Sequence, residues 1–308
     1  MTETAPAAGL LRGQSAVRTV TLDDVRFTYA VDGAMGLVPH VFFPHVSADY
    51  WAGQPGALDG QGQIAMSVGG LLVERDGRRL LIDAGLGARE GRNRLGVVNS
   101  GALPDTLAAL GCDVAAIDTL AFTHLHGDHT GWAFTVDQDG TSRKTFPAAR
   151  YLIAEAEWAP YGRGETPPAA APAAIVEQLA ATRTLIDDGE EIFPGVRAVV
   201  TPGHTSGHTS YIITSGTGKR LIALGDAFHT PAQLAHPQWP SLPDIDADAV
   251  LAARRTLIHE LEQPGTLGFA CHFGDQAFGL VTRTPDGRHG WNPVPATAIM
   301  PAPRQLSS

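Results

Sequence analysis

Two cysteines, Cys112 and Cys271, are all that 308 residues contain, too few for a disulfide framework. Cys271 precedes His272, and neighbouring side chains on a strand face opposite ways, so it reads as core filler. Acidic residues outnumber basic ones, 32 to 22, for a formal charge of −10, and no Lys/Arg-rich stretch stands out. A nuclease or RNA-processing role needs cations that neutralise phosphates, so no nucleic-acid partner is expected. No run of about 20 apolar residues occurs, so neither a membrane-spanning helix nor a membrane partner is expected. The N-terminus, Met1 to Val17, is Ala/Gly-rich, carries Glu3 early and has no apolar segment of the signal-peptide kind; a cytoplasmic location is the expectation.

What the chain does have is 44% hydrophobic and 18% charged residues, the balance of a well-cored globule. It also concentrates histidine. The run Thr123-His124-Leu125-His126-Gly127-Asp128-His129 packs four potential metal ligands into six residues, straight after an apolar stretch over 117–122. A strand ending there puts the run in the loop beyond a sheet edge. His124 and His126 then point the same way, and Asp128 and His129 reach a second point nearby. Imidazoles and a carboxylate are the ligand mix that zinc takes, and Mn, Co or Fe suit it as well. Three more candidates follow strand-like runs: His204 beyond Val200, Asp226 beyond Leu224, and His272 beyond Cys271.

As a set these residues resemble the metallo-β-lactamase superfamily of dinuclear metallohydrolases. The match is HxHxDH, then a His, an Asp and a His in that order, over roughly residues 64–285. The resemblance implies an α/β fold, the αββα sandwich, with two divalent metal ions at the sheet edges. Carried over, His124, His126 and His204 would hold one ion, Asp128, His129 and His272 the other, and Asp226 would bridge them. The true β-lactamases lack that bridging aspartate, and flavodiiron proteins usually carry glutamate where His126 stands. The chain is therefore most similar to the lactonase and organophosphate-hydrolase branch. Homoserine lactonases commonly place a tyrosine three residues past the bridging aspartate; His229 stands there, as in the methyl-parathion-hydrolase-like branch.

The resemblance implies a dinuclear zinc hydrolase that cuts a lactone or carboxylic ester by attack of a metal-bridging hydroxide. Two zinc ions outweigh the charges of Asp128 and Asp226, and the surplus lowers the pKa of bound water. Asp128 would shuttle a proton to the leaving alkoxide, with His229 as the other candidate donor. Phosphotriester hydrolysis is the alternative within this chemistry, and a non-catalytic metal- or ligand-binding protein the alternative outside it. Aromatic residues crowd the loops near the ligands, so the small-molecule substrate is expected to be hydrophobic. Trp132, Phe228, Phe42, Phe43 and Trp51 are the candidate lining residues. A glutathione-type thioester would need a cationic patch, and none is evident. The branch often forms dimers, so a homodimer is the expected assembly.

Residues 1–17 read as a loose tail, 18–290 as one domain and 291–308 as a second tail wrapping the surface. Irregular segments at about 33–62 and 155–175 read as insertions, either of which could cover the pocket. Residues 17–29 alternate as one strand. Two later strands flank Asp76-Gly77, a hairpin signal, and amphipathic patterning predicts a helix over about 246–262. Asp83 is expected to brace the metal loop and His208 to hold backbone at a strand start.

Overall fold

Leu71-Leu72-Val73 and Leu80-Leu81-Ile82 are apolar at every position, a pattern suited to strands covered on both faces. The computed structural model, which describes residues 8–137 and 139–306, covers them in that way. Leu71, Val73, Leu80 and Ile82 face a core between two sheets, and Leu72 and Leu81 face a layer of helices.

The first half runs β1 (Val17–Leu22), β2 (Val25–Leu37), α1 (Pro39–Phe42), α2 (Ala48–Ala52), β3 (Ile64–Arg75), β4 (Arg78–Ile82), β5 (Arg89–Asn93), β6 (Gly96–Ser100), α3 (Leu103–Ala109), β7 (Thr119–Ala121), α4 (Gly127–Thr130), β8 (Phe134–Val136), β9 (Ser142–Lys144), β10 (Arg150–Ala154), α5 (Glu155–Gly162), α6 (Ala173–Thr182) and β11 (Arg183–Ile186). The second half runs β12 (Glu191–Phe193), β13 (Val196–Val200), β14 (Thr209–Thr214), β15 (Arg220–Ala223), α7 (Ala232–Ala235), α8 (Ala247–Leu261), β16 (Thr266–Phe269), β17 (Phe278–Arg283), β18 (His289–Pro293) and β19 (Thr297–Met300). One sheet has the order β11-β10-β7-β4-β3-β2-β1-β19, with the β5–β6 hairpin joined to β2; the other runs β12 through β18 in sequence order. Helices α3, α5 and α6 pack on the outer face of the first sheet and α8 on the outer face of the second. Asp246 caps α8, its carboxylate accepting from the amides of Asp248 and Ala249.

Parallel pairing places the site. β4, β7 and β10 lie side by side and parallel, as do β15 and β16. Their C-terminal ends therefore share an edge in each sheet, and the loops leaving them converge.

Several expected boundaries move. The stretch 17–29 is a hairpin of β1 and β2, turned at Asp23, whose φ of 52° an aspartate tolerates. β2 continues to Leu37 through the segment expected to be irregular, with a bulge between Val31 and Gly33. The 155–175 segment carries α5 and the start of α6. Residues expected as tails are built in: β18 joins the second sheet and β19 pairs with β1. Ser15 N donates to Ser67 Oγ and Ala16 N to Asp275 Oδ1. No helix among the described residues is long and apolar enough to cross a membrane.

Candidate metal centre

Four of the candidate ligands leave the end of β7, and three come from loops of the second sheet. The structure brings them into two groups that share one carboxylate: His124, His126, His204 and Asp226, and Asp128, His129, Asp226 and His272. Within each group the ligand atoms lie within 4.8 Å of one another. Asp226 divides its oxygens between them. Its Oδ2 lies 3.4 Å from His204 Nε2 and 3.8 Å from His124 Nε2. Its Oδ1 lies 3.2 Å from His129 Nε2 and 3.1 Å from His272 Nε2. Asp128 Oδ2 sits 3.7 Å from both of those rings.

Three of the five rings are held from behind by acceptors outside the cluster. His129 Nδ1 donates to Asp83 Oδ2 at 2.8 Å, His204 Nδ1 to Asp244 Oδ1 at 2.8 Å, and His272 Nδ1 to Ser67 O at 2.9 Å. These acceptors fix the tautomer and turn an Nε2 lone pair toward the centre. Asp83 also accepts from Thr123 N and Thr123 Oγ1, and Thr123 Oγ1 meets His124 Nδ1 at 3.0 Å. It does so from a left-handed backbone, φ 65°. His208 Nε2 accepts from Asp226 N at 2.9 Å, so this histidine orients a ligand's backbone. A Cβ on Gly225 would come within 2.5 Å of that nitrogen, and the residue sits at φ 55°, so only glycine fits.

Charge follows burial. Burial drives His124 well below the usual imidazole range and His126 down to about 3, with neighbouring rings adding to both. Burial acts the same way on His129 and His272, but there the surroundings win. Asp226, Asp83 and Asp128 raise His129, and Cys271 and Asp226 raise His272, each well above that range. Burial alone would raise Asp226; His272, His129 and His229 pull it well below the usual carboxylate range.

The donor set fits divalent cations. Among the described residues, His124 Nε2, His129 Nε2 and Asp226 Oδ1 are buried with no aligned hydrogen-bond partner. Each such group costs about 1–3 kcal/mol if left unpaired, and a cation at the convergence point would satisfy several at once.

Residues 70–272 match the sequence model of the metallo-beta-lactamase superfamily. The chain belongs to that superfamily. It carries the His/Asp cluster of a dinuclear metallohydrolase. No curated protein matches it in sequence. Solved structures of the metallo-β-lactamase fold resemble it across most of its length. AidC, described as a dizinc quorum-quenching lactonase in complex with a product, shares 22% identity over 91% of this chain and 97% of its own, with a TM-score of 0.77. A probable metal-dependent hydrolase from Staphylococcus aureus shares 20% over 93% and 100%, TM-score 0.73. The hydrolase AbOPH shares 22% over 91% and 97%, TM-score 0.71.

In this superfamily member the metal groups open into a cavity of about 510 Å³. His126, Asp128, Asp226, His229 and His272 form its polar end, and Met35, Leu37, Phe42, Met66 and Leu95 part of its apolar wall. Both irregular segments contribute, the first through Phe42 and the second through Pro168 and Ala169. Ala171 N donates to Leu125 O at 2.8 Å and ties the second to the ligand loop.

Of the aromatic residues expected to line the pocket, Phe42 borders this cavity, and the structure places the other four away from its lining. Phe43 and Trp51, tilted rings 5.7 Å apart, belong to the apolar cluster that backs Leu37, Phe42 and Met66 and do not border the cavity themselves. Trp132 donates its Nε1 to Asp32 Oδ1 at 2.7 Å and borders a different cleft, with Thr135 and Lys144. Phe228 lies beneath α8 with the Arg254 guanidinium over its ring. His229 lines the cavity, its Nε2 3.1 Å from Asp226 Oδ2 and its ring edge-on to Phe42. Burial lowers its pKa.

Three residues that sequence reasoning missed hold the ligand loops. Asp244 pairs with His204 and with the buried Arg254, whose guanidinium also ties down Ala227 O, Pro237 O and Trp239 O. Glu157, on α5, clamps both halves: its Oε1 accepts from Leu125 N at 2.9 Å, and its Oε2 from Thr205 Oγ1 at 2.6 Å and Gly207 N at 3.1 Å. Nothing local in the sequence signals these roles, because the partners are 10 to 50 residues away. The amide of Glu157→Gln cannot accept all three bonds. We expect about tenfold weaker metal binding, measured by competition with a chromophoric chelator.

Proposed function

We propose that this chain is a dinuclear zinc hydrolase of lactones or carboxylic esters with an apolar acyl group. The observation that carries the reading is the cavity itself, apolar along its wall and closed at one end by the His/Asp groups. Such a shape suits a scissile carbonyl attached to a hydrocarbon chain. The dizinc lactonase AidC, similar in fold, supports the lactone choice.

Two bound cations would polarise the carbonyl and supply a nucleophile from water at neutral pH. The chain's own residues do the rest. Leu37 and Phe42 exclude water along the acyl chain. His229 faces the cavity beside Asp226 and is placed to hydrogen-bond the developing oxyanion. Asp128, partly open to the cavity, is placed to return a proton to the leaving alkoxide.

The test is hydrolysis of an acyl lactone, an aryl ester and an aryl phosphotriester by zinc-loaded protein. We expect lactone or ester cleavage to lead, to fall by about 10²-fold or less in His229→Ala, and to vanish in His126→Ala. Fastest turnover of the phosphotriester would move the assignment to that class. A metal-replete protein inert on all three would make it a binding protein.

A further inference from the structure

The sequence Arg89-Glu90-Gly91-Arg92-Asn93-Arg94 places three arginines in six residues, and the function above uses none of them. The structure puts them on the β5–β6 hairpin, at the mouth of the metal cavity. Arg94 sits in its two-residue turn and lines that cavity. Arg89 lines an adjoining cleft of about 570 Å³ that shares Met35, Leu37, Leu86 and Leu95 with it. The turn is held in place. Asn93 Oδ1 accepts from Leu95 N at 2.8 Å, and Leu95 O accepts from Val38 N at 2.8 Å, just ahead of α1.

Among the described residues no acidic side chain pairs with Arg89, Arg92 or Arg94. The lining of the two clefts contains no carboxylate apart from Asp128 and Asp226, both assigned to metal. A chain of net charge −10 thus keeps unpaired cations beside its pocket, in one lining with the apolar wall and the His/Asp groups. The sequence shows the three arginines, and the fold of the hairpin puts two of them beside the pocket.

We infer that Arg94, backed by Arg89, selects substrates whose apolar acyl chain ends in an anionic group such as a carboxylate. The inference rests on the ester or lactone reading above. The carbonyl lies at the metal end, the hydrocarbon along Met35, Leu37 and Leu95, and the terminal anion at the guanidinium, which offers it a bidentate fit.

The experiment compares mono-4-nitrophenyl suberate with its methyl ester, a matched substrate that lacks the charge. In the native protein KM for the acid should be about tenfold lower at low salt, and 0.5 M salt should erase most of that gap. Arg94→Gln should raise KM for the acid about tenfold, leave kcat in place and leave the methyl ester unaffected; Arg94→Lys should recover part of the loss. Equal KM values in the native protein, or a change in Arg94→Gln that is the same for both esters, overturn the inference. If neither ester is cleaved, the hydrolase reading fails on its own. Calorimetric binding of monomethyl and dimethyl suberate then decides: a preference for the acid that Arg94→Gln removes supports the inference, and one that it leaves intact overturns it.

Discussion

Asp226→Ala should leave fewer than one metal ion per chain and lower hydrolysis by at least about 10³-fold, since losing a mere supporting partner of a metal ligand already costs 10–100-fold. Asp226 alone belongs to both ligand groups, one oxygen toward each. Its removal also strips His129 and His272 of the carboxylate that raises them. Asp226→Asn separates charge from shape. It keeps the volume and one acceptor oxygen, so partial metal content with little activity would assign the effect to charge. Two ions and near-native turnover in either variant would refute the shared-carboxylate arrangement. Metal analysis of the purified variants, paired with aryl ester turnover, reads both outcomes.

Metal removal should have the second largest effect. Chelation should abolish turnover and lower Tm by about 10 °C, as expected for ligands present near a thousandfold above their dissociation constants. The metal-free chain retains buried lone pairs and Asp226 Oδ1 without aligned partners. Protons compensate in part: His129 and His272, raised well above the usual range, carry charge near neutral pH when the metal is gone. Reloading must displace those protons. Titrating metal into the apoprotein in weak buffer should therefore release about two protons per chain from these rings, and about one more from bound water that ionises. Calorimetric enthalpies that do not vary with the buffer's ionisation heat would count against this.

The ligand set was legible because its chemistry is local. His124, His126, Asp128 and His129 are contiguous, and His204, Asp226 and His272 follow runs whose strand character is visible in the sequence. The sandwich was expected from the resemblance that this residue set carries; runs such as Leu80-Leu81-Ile82 mark strands but not how the two sheets pack. What could not be read depends on distant partners or on direction. Trp132 and Phe228 lie close in sequence to ligands, yet one turns to Asp32 and the other packs under α8. Adjacency along a chain does not fix which way a ring points. Glu157, Asp244 and Arg254 act through folded contacts alone. The β1–β2 turn was hidden because alternation persists on both sides of Asp23-Asp24, with no glycine or proline to mark it. The three arginines over 89–94 are visible in the sequence, but that Arg94 borders the pocket follows only from the fold of the hairpin.

The division of ligands between the halves has a consequence in time. His124, His126, Asp128 and His129 leave the first sheet, while His204, Asp226 and His272 leave the second. Neither half alone can offer a complete coordination sphere. As the chain emerges from the ribosome, the HxHxDH run appears long before His272, so it waits with an incomplete set. High-affinity capture of two ions would therefore be complete only once the second-sheet residues have joined the first, so metal uptake would report the closing step of folding.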